Sequence, residues 1–243
     1  MRFVSPPAVL AASLVLCAAA SARAQDGEGK KPAPGGAAPV ATATTPLPWN
    51  PFANAKVGDW ESVVLKAEHR GRSQGAPMQF LMTVRIVKVE GDTVSVKTDA
   101  QIPGLPPQEP RLHDFSRKTT PTIEELLSLR DETISNLEVT EEKKTVGGKE
   151  LACTKLSYST VREHKIRNGQ TMVMTKKSVL WLSKDVKGEG LVAMTIEQTV
   201  TGLGPTPAST SSVAEVLGFG NEDTVEFGKK PGDIDITKPP EKK

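Results

Sequence analysis

WLSKDVKGEGLV, residues 181–192, sets one apolar pair, Trp181-Leu182, and a second, Leu191-Val192, around a charged middle that carries glycine. Such flanks around such a centre describe two strands joined by a turn. Pairing Ser183 with Gly190 leaves Lys184 to Glu189 as a six-residue loop. The loop is read as charged because it faces water, with Gly188 and Gly190 supplying permissive backbone. Trp181 then stands opposite Val192, and Val179 opposite Met194.

Two turns upstream extend this register. Asn168-Gly169 is a strong short hairpin signal, since a type I′ turn needs positive φ at both central positions. It sets Tyr158 opposite Val179 and Leu156 opposite Trp181. Gly147-Gly148, a second two-residue turn, pairs Val146 with Lys149 and places Leu137 opposite Tyr158 and Val139 opposite Leu156. These registers gather Leu137, Val139, Leu156, Tyr158, Val179 and Trp181 on one sheet face, to which Val192 and Met194 add a further strand. A slip of one residue would turn part of that patch over.

Other segments carry the same period. Phe80, Met82, Val84 and Ile86 alternate with Leu81, Thr83, Arg85 and Val87, and Val192, Met194 and Ile196 alternate with Ala193, Thr195 and Glu197, which is a strand signal. Trp60–Ala67 and Thr93–Thr98 add two strands. Four prolines between Gln101 and Pro110 make that stretch a loop. Thr122 is placed to cap a helix from Ile123 to Arg130, with Glu125 at the capping-box position. A second, shorter helix is expected from Ser212 to Leu217, stopped by Gly218. The predicted fold is mainly β: a curved, half-barrel-like antiparallel sheet with one or two short helices.

Residues 1–24 read as an export signal, with Arg2, an apolar run from Ala8 to Ala20, and Ala22-Arg23-Ala24 before Gln25. Acylation of Cys17 is the weaker alternative, because Leu16 precedes it. No later run is long and apolar enough to span a bilayer, so the mature chain is expected to be periplasmic or secreted and not membrane-spanning. Residues 25–48 are dominated by Gly, Ala, Pro, Thr and Lys and predict a disordered tether, residues 49–228 one β-rich domain, and residues 229–243 a disordered tail. Cleavage removes Arg2 and Arg23 from 31 basic residues, leaving 29 against 29 acidic ones. That balance gives no basic footprint for nucleic acid. Only Cys153 survives cleavage, which excludes an intrachain disulfide and reads as a small apolar strand residue.

The export signal, the tether, the long meander, one helix before the GGKELAC turn and the pattern Trp-Leu-Ser-x-x-Val-x-Gly-x-Gly-Leu-Val at 181–192 resemble exported bacterial proteins with a half-barrel sheet. That group is similar in architecture to the Lol-type lipoprotein carriers. The resemblance covers about residues 56–227, and Lys187 departs from it where such relatives would carry proline. It implies a curved sheet under a helical lid with acyl chains between them, and it assigns no individual residue.

His69, His113 and His164 lie far apart without a second ligand at zinc spacing, no phosphate-binding Gly-x-x-x-x-Gly-Lys run occurs, and Asp233 and Asp235 lack the rest of a calcium loop. The expectation is a non-enzymatic protein with no metal and no cofactor. Met82, Met172, Met174 and Met194 fall on predicted strands and fit either ordinary core or an adaptable lining. The functional expectation is a binding module for an apolar small molecule or lipid, lined by Trp181, Val192 and Met194 on the sheet and by Leu126 and Leu127 on the helix. The alternative is a structural or interaction protein of the cell envelope whose partner is another protein.

Overall fold

Alternating apolar side chains keep most of the described residues extended. The structure, a computed structural model, describes residues 46–70, 78–106, 108–127, 132–165, 170–202, 207–222 and 224–235. Ten strands form one open, curved antiparallel sheet. They are β1 (Asp59–Arg70), β2 (Met78–Glu90), β3 (Thr93–Gln101), β4 (Arg111–Ser116), β5 (Thr133–Val146), β6 (Lys149–Lys165), β7 (Thr171–Leu182), β8 (Leu191–Thr201), β9 (Ala208–Asn221) and β10 (Thr224–Gly228). The order is β4-β3-β2-β1-β9-β8-β7-β6-β5, with β10 added to β9. The mainly β, half-barrel-like expectation therefore holds. The expected export signal and most of the expected tether lie outside the described residues.

The β1–β9 seam joins two meanders, β1–β4 and β5–β9, into this one sheet. It leaves β4 and β5 at opposite edges, eight interstrand steps apart, which is about 38 Å across a flat sheet. The chain that links them has to pass over a face. On that path lies α1 (Ile123–Leu127), which opens with the expected capping box: Thr122 N–H donates to Glu125 Oε2 at 2.8 Å, and Glu125 N–H donates to Thr122 Oγ1 at 3.1 Å. The expected continuation through Ser128 to Arg130 lies outside the described residues.

A strap from Pro46 to Lys56 runs beside α1. Pro46 bridges Thr122, and Leu47 N–H donates to Pro121 O at 3.1 Å. The Asn50 amide reaches the carbonyls of Ser116, Arg117 and Thr119 at 3.0, 3.0 and 3.1 Å. Strap and helix together press Leu47, Phe52, Ala55, Ile123 and Leu126 onto Leu65, Phe80, Leu156, Leu180 and Met194 of the sheet. The tether expected to run to residue 48 thus ends earlier, because Leu47 has a core to enter. The expected tail from residue 229 likewise begins in order, with Lys229 N–H donating to Leu217 O at 3.2 Å and a 3-10 turn at Pro231–Asp233.

Four expectations need correction. Ser212–Leu217 is not a helix but the middle of β9, because Val64, Leu65 and Ala67 of β1 give those residues ladder partners. The Gly147-Gly148 register holds from Val146↔Lys149 to Glu138↔Ser157 and then breaks at a bulge, where Asn136 has φ 54°, so Leu137 is not directly opposite Tyr158. Val139, opposite Leu156 on the edge strand β5, is 48% exposed.

The β6–β7 pairing is one residue away from expectation. Leu156 faces Leu180, Tyr158 faces Ser178, and Trp181 faces Lys155. Lys165 pairs with Thr171, and the expected Asn168-Gly169 turn lies outside the described residues. The physical reason lies in tryptophan's polar edge: in a sealed core its N–H would go unpaired. On the other face the Trp181 N–H donates to Glu142, and Lys144 Nζ stands 4.2 Å from the ring centroid. The fourth correction follows at the Trp181/Leu182 register shift, which makes Val192 the extra residue and pairs Met194 with Leu180.

This register predicts that Leu180→Ala destabilises by about 2–5 kcal/mol, as large-to-small changes in a sealed core do, and that Val179→Ala, half-buried on the other face, costs clearly less. Urea unfolding of the two variants checks it. Equal losses, or a larger loss at Val179, would contradict the pairing.

Candidate functional site

Because facing residues in a ladder share a face, the pairings can be followed across strands as rows. Leu156, Leu180, Met194, Ala214, Leu65 and Phe80 form one row over β6, β7, β8, β9, β1 and β2, and all six are buried. The next row is Tyr158, Ser178, Ile196, Ser212, Ala67 and Met78, followed by Thr160, Lys176, Gln198 and Thr210. Rows are spaced by about 7 Å. One face under the cover therefore passes from apolar, through hydroxyl-bearing, to charged.

The charged end is fully paired. Lys176 Nζ lies 2.6 Å from Glu132 Oε1, and Thr160 Oγ1 donates to Glu132 Oε2 at 2.7 Å. Burial, with Glu132 and Glu124 nearby, pushes the Tyr158 phenol well above its ordinary range despite its hydrogen bond with Ser178, so it stays protonated. Ile134, Leu137, Ile196 and Met78 border the sealed cluster and are only partly buried.

Of the five side chains predicted to line a ligand site, the structure brings two together here, Met194 and Leu126. Val192 and Trp181 instead join a second cluster with Val146, Leu151, Cys153, Val186, Val216 and Phe219, a consequence of the one-residue difference in register. Leu127 lies on α1, and its side chain is outside the described residues. The four strand methionines are on strands, but Met194 shares its face with Leu180 and not with Trp181.

The loop Lys184–Glu189 has the expected ends, with Ser183 N–H donating to Gly190 O at 2.8 Å and Gly188 and Gly190 at φ 80° and 78°. Its solvated character fails at Val186, Gly188 and Glu189. Val186 is buried in the second cluster, and Glu189 is 2% exposed, beside Glu61 of β1, which is 0% exposed. No sequence signal short of the fold brings these carboxylates together across so long a separation.

Elsewhere the chemistry is sparse. Burial raises the Cys153 thiol to about 11, which suits a packed residue rather than a nucleophile. The histidines sit on β1, β4 and β6. The sequence is expected to carry no Gly-x-Ser-x-Gly elbow, but Gly71-Arg72-Ser73-Gln74-Gly75 has that spacing. It lies outside the described residues, in the segment between β1 and β2. Among the described residues no three His, Cys, Asp or Glu side chains gather as a metal site.

No family model matches the sequence, and no curated protein does. Among solved structures, a LolA superfamily protein from Nitrosomonas europaea is similar over 72% of this chain and 91% of its own, with 7% identity and a TM-score of 0.18.

The buried Lys176–Glu132 pair gives a sharp expectation. Lys176→Met alone, which strands a buried carboxylate, should cost about 3–5 kcal/mol, while Lys176→Met with Glu132→Leu should recover most of that loss. Chemical denaturation of the single and double variants reads both, and a double variant no more stable than the single one would contradict the burial of the pair.

Proposed function

We propose that this chain is an exported, non-catalytic binding module for a lipid-like ligand with an apolar chain and a polar end, held between the sheet and its cover. The observation that carries this reading is the face under α1. A continuous apolar row spans six strands, and the row beside it carries the hydroxyls of Tyr158, Ser178 and Ser212. An amphiphile meets both halves of such a surface, whereas a wholly polar metabolite meets one. The apolar row is sealed in the closed form, so a ligand enters by lifting the strap and α1 and displacing Leu47, Phe52, Ala55, Ile123 and Leu126, which pack on the row. Ile196 and Met78, half-buried beside the row, mark the entry.

Titration with fatty acids of increasing chain length tests this, with Trp60→Phe and Trp181→Phe leaving Trp49 as the reporter. Affinity should rise about fourfold per added methylene, the equivalent of about 0.8 kcal/mol, and Ile196→Glu should weaken it. Flat titrations at every length would overturn the reading.

A second reading, an envelope module that binds another protein, is favoured by β4, an edge strand on which Leu112 is 67% exposed. A protein that copurifies from the native host and is lost with Leu112→Asp would put that reading first.

A further inference from the structure

Two carboxyl groups that the ligand reading does not use stand at the other end of the cover. Glu61 projects from β1, opposite Val84 of β2 and Phe219 of β9. The amides of Glu189, Gly190 and Leu191 turn toward its carboxyl, with the Gly190 N–H donating to Glu61 Oε2 at 3.0 Å. Three successive backbone N–H groups around an oxyanion ordinarily make an anion seat, and here the seat is filled from within the chain. The fit is close on both sides of the loop. A Cβ on Gly188 would stand 2.9 Å from Glu61 Cγ, and one on Gly190 would stand 2.7 Å from Trp49 Cη2. Trp49 belongs to the strap and packs on the main cluster. Strap, loop and β1 are therefore stacked through Gly190.

Into this stack the sequence inserts a second acid. Glu61 Oε1 and Glu189 Oε2 are buried with no hydrogen-bond partner. Among the described residues no basic side chain is paired with either carboxyl. Val84 and Phe219 are apolar, Lys184 and Asp185 of the loop are exposed, and Lys187 is engaged with Glu226 of β10 at 3.7 Å. Asp59, earlier on β1, is held by the Lys56 N–H and the Asn221 amide, each at 2.8 Å. Two buried carboxylates without a counter-charge cannot both be ionised at low cost.

We propose that Glu61 and Glu189 form a protonation latch: with a proton bound, the pair holds the Lys184–Glu189 loop on β1 and the Trp49 strap on Gly190, and loss of the proton releases both. The proposal concerns the opening of the cover and rests on no ligand.

The direction with pH follows from burial. Desolvation raises Glu189 to about 7, and desolvation together with Glu189 raises Glu61 well above the ordinary range. The latched form thus keeps a proton that an opened, hydrated loop gives up above about pH 4.3. Latching is strongest below that value and is lost as pH rises through neutrality.

The test is hydrogen exchange of the full chain without ligand, corrected for intrinsic rates, alongside the melting temperature. Between about pH 5 and 7, the open population of loop and strap should grow by up to about tenfold per pH unit for each of the two raised carboxyls, and the slope should ease above about 7 as the Glu189 share ends. The melting temperature should fall over the same interval. In Glu61→Gln/Glu189→Gln, which keeps the Gly190 acceptor and removes both titrations, exchange should stay flat. Should that variant not fold, Glu189→Gln alone should show a shallower slope than the wild type. A wild-type profile as flat as the variant's, or a variant profile as steep as the wild type's, overturns the latch.

Discussion

The pairing of β1 with β9 is the constraint from which the rest of the molecule follows. Each of the two meanders could form locally through hairpins, but neither alone has a reason to cover its apolar face. Once Asp59–Arg70 runs against Ser209–Asn221, the first meander ends at one edge of a wide sheet and the second begins at the other. The chain between them is obliged to cross a face, and α1 and the strap become a cover. The seam also places Glu61 where the loop after β7 can reach it. It is long-range and therefore slow to find, and its loss would undo the cover and the carboxyl pair together.

On this frame the face under α1 and the Glu61–Glu189 pair divide the work. The first offers a surface that changes from apolar to charged over two rows, and the second fixes one flank of the lid that closes it. Buried polar groups are costly, and this chain manages its two buried charge clusters differently. Lys176 neutralises Glu132 directly with Thr160 assisting. Glu61 and Glu189 have no such partner and hold their place through a proton. The lid is thus anchored firmly near β5 and conditionally near β1.

Much of the architecture was legible in the sequence because it depends on local rules. Alternation exposed β2 and β8, Thr122 and Glu125 announced the start of α1, Gly147-Gly148 fixed the first part of the β5–β6 register, and Ser183 and Gly190 bounded the loop. What was hidden depends on partners distant in sequence. In SVAEVL the small and apolar residues suit a helix as well as a strand, and the ladders with β1 and β8 decide between them. Leu180 and Trp181 are both apolar, so alternation could not say which enters the core. The indole N–H, which needs Glu142, decides it, and with it the fate of Trp181 and Val192 as candidate lining. The charge of Glu189 suggested solvent for the same reason: its surroundings come from β1.

The most direct test of this account is a set of cross-strand nuclear Overhauser effects along the seam, measured on isotopically labelled protein. The account predicts contacts pairing Leu65 with Ala214 and Ala67 with Ser212, and none of the i to i+3 pattern of a helix within Ser212–Leu217. A helical pattern there, or contacts that join β1 to a strand other than β9 and β2, would contradict it.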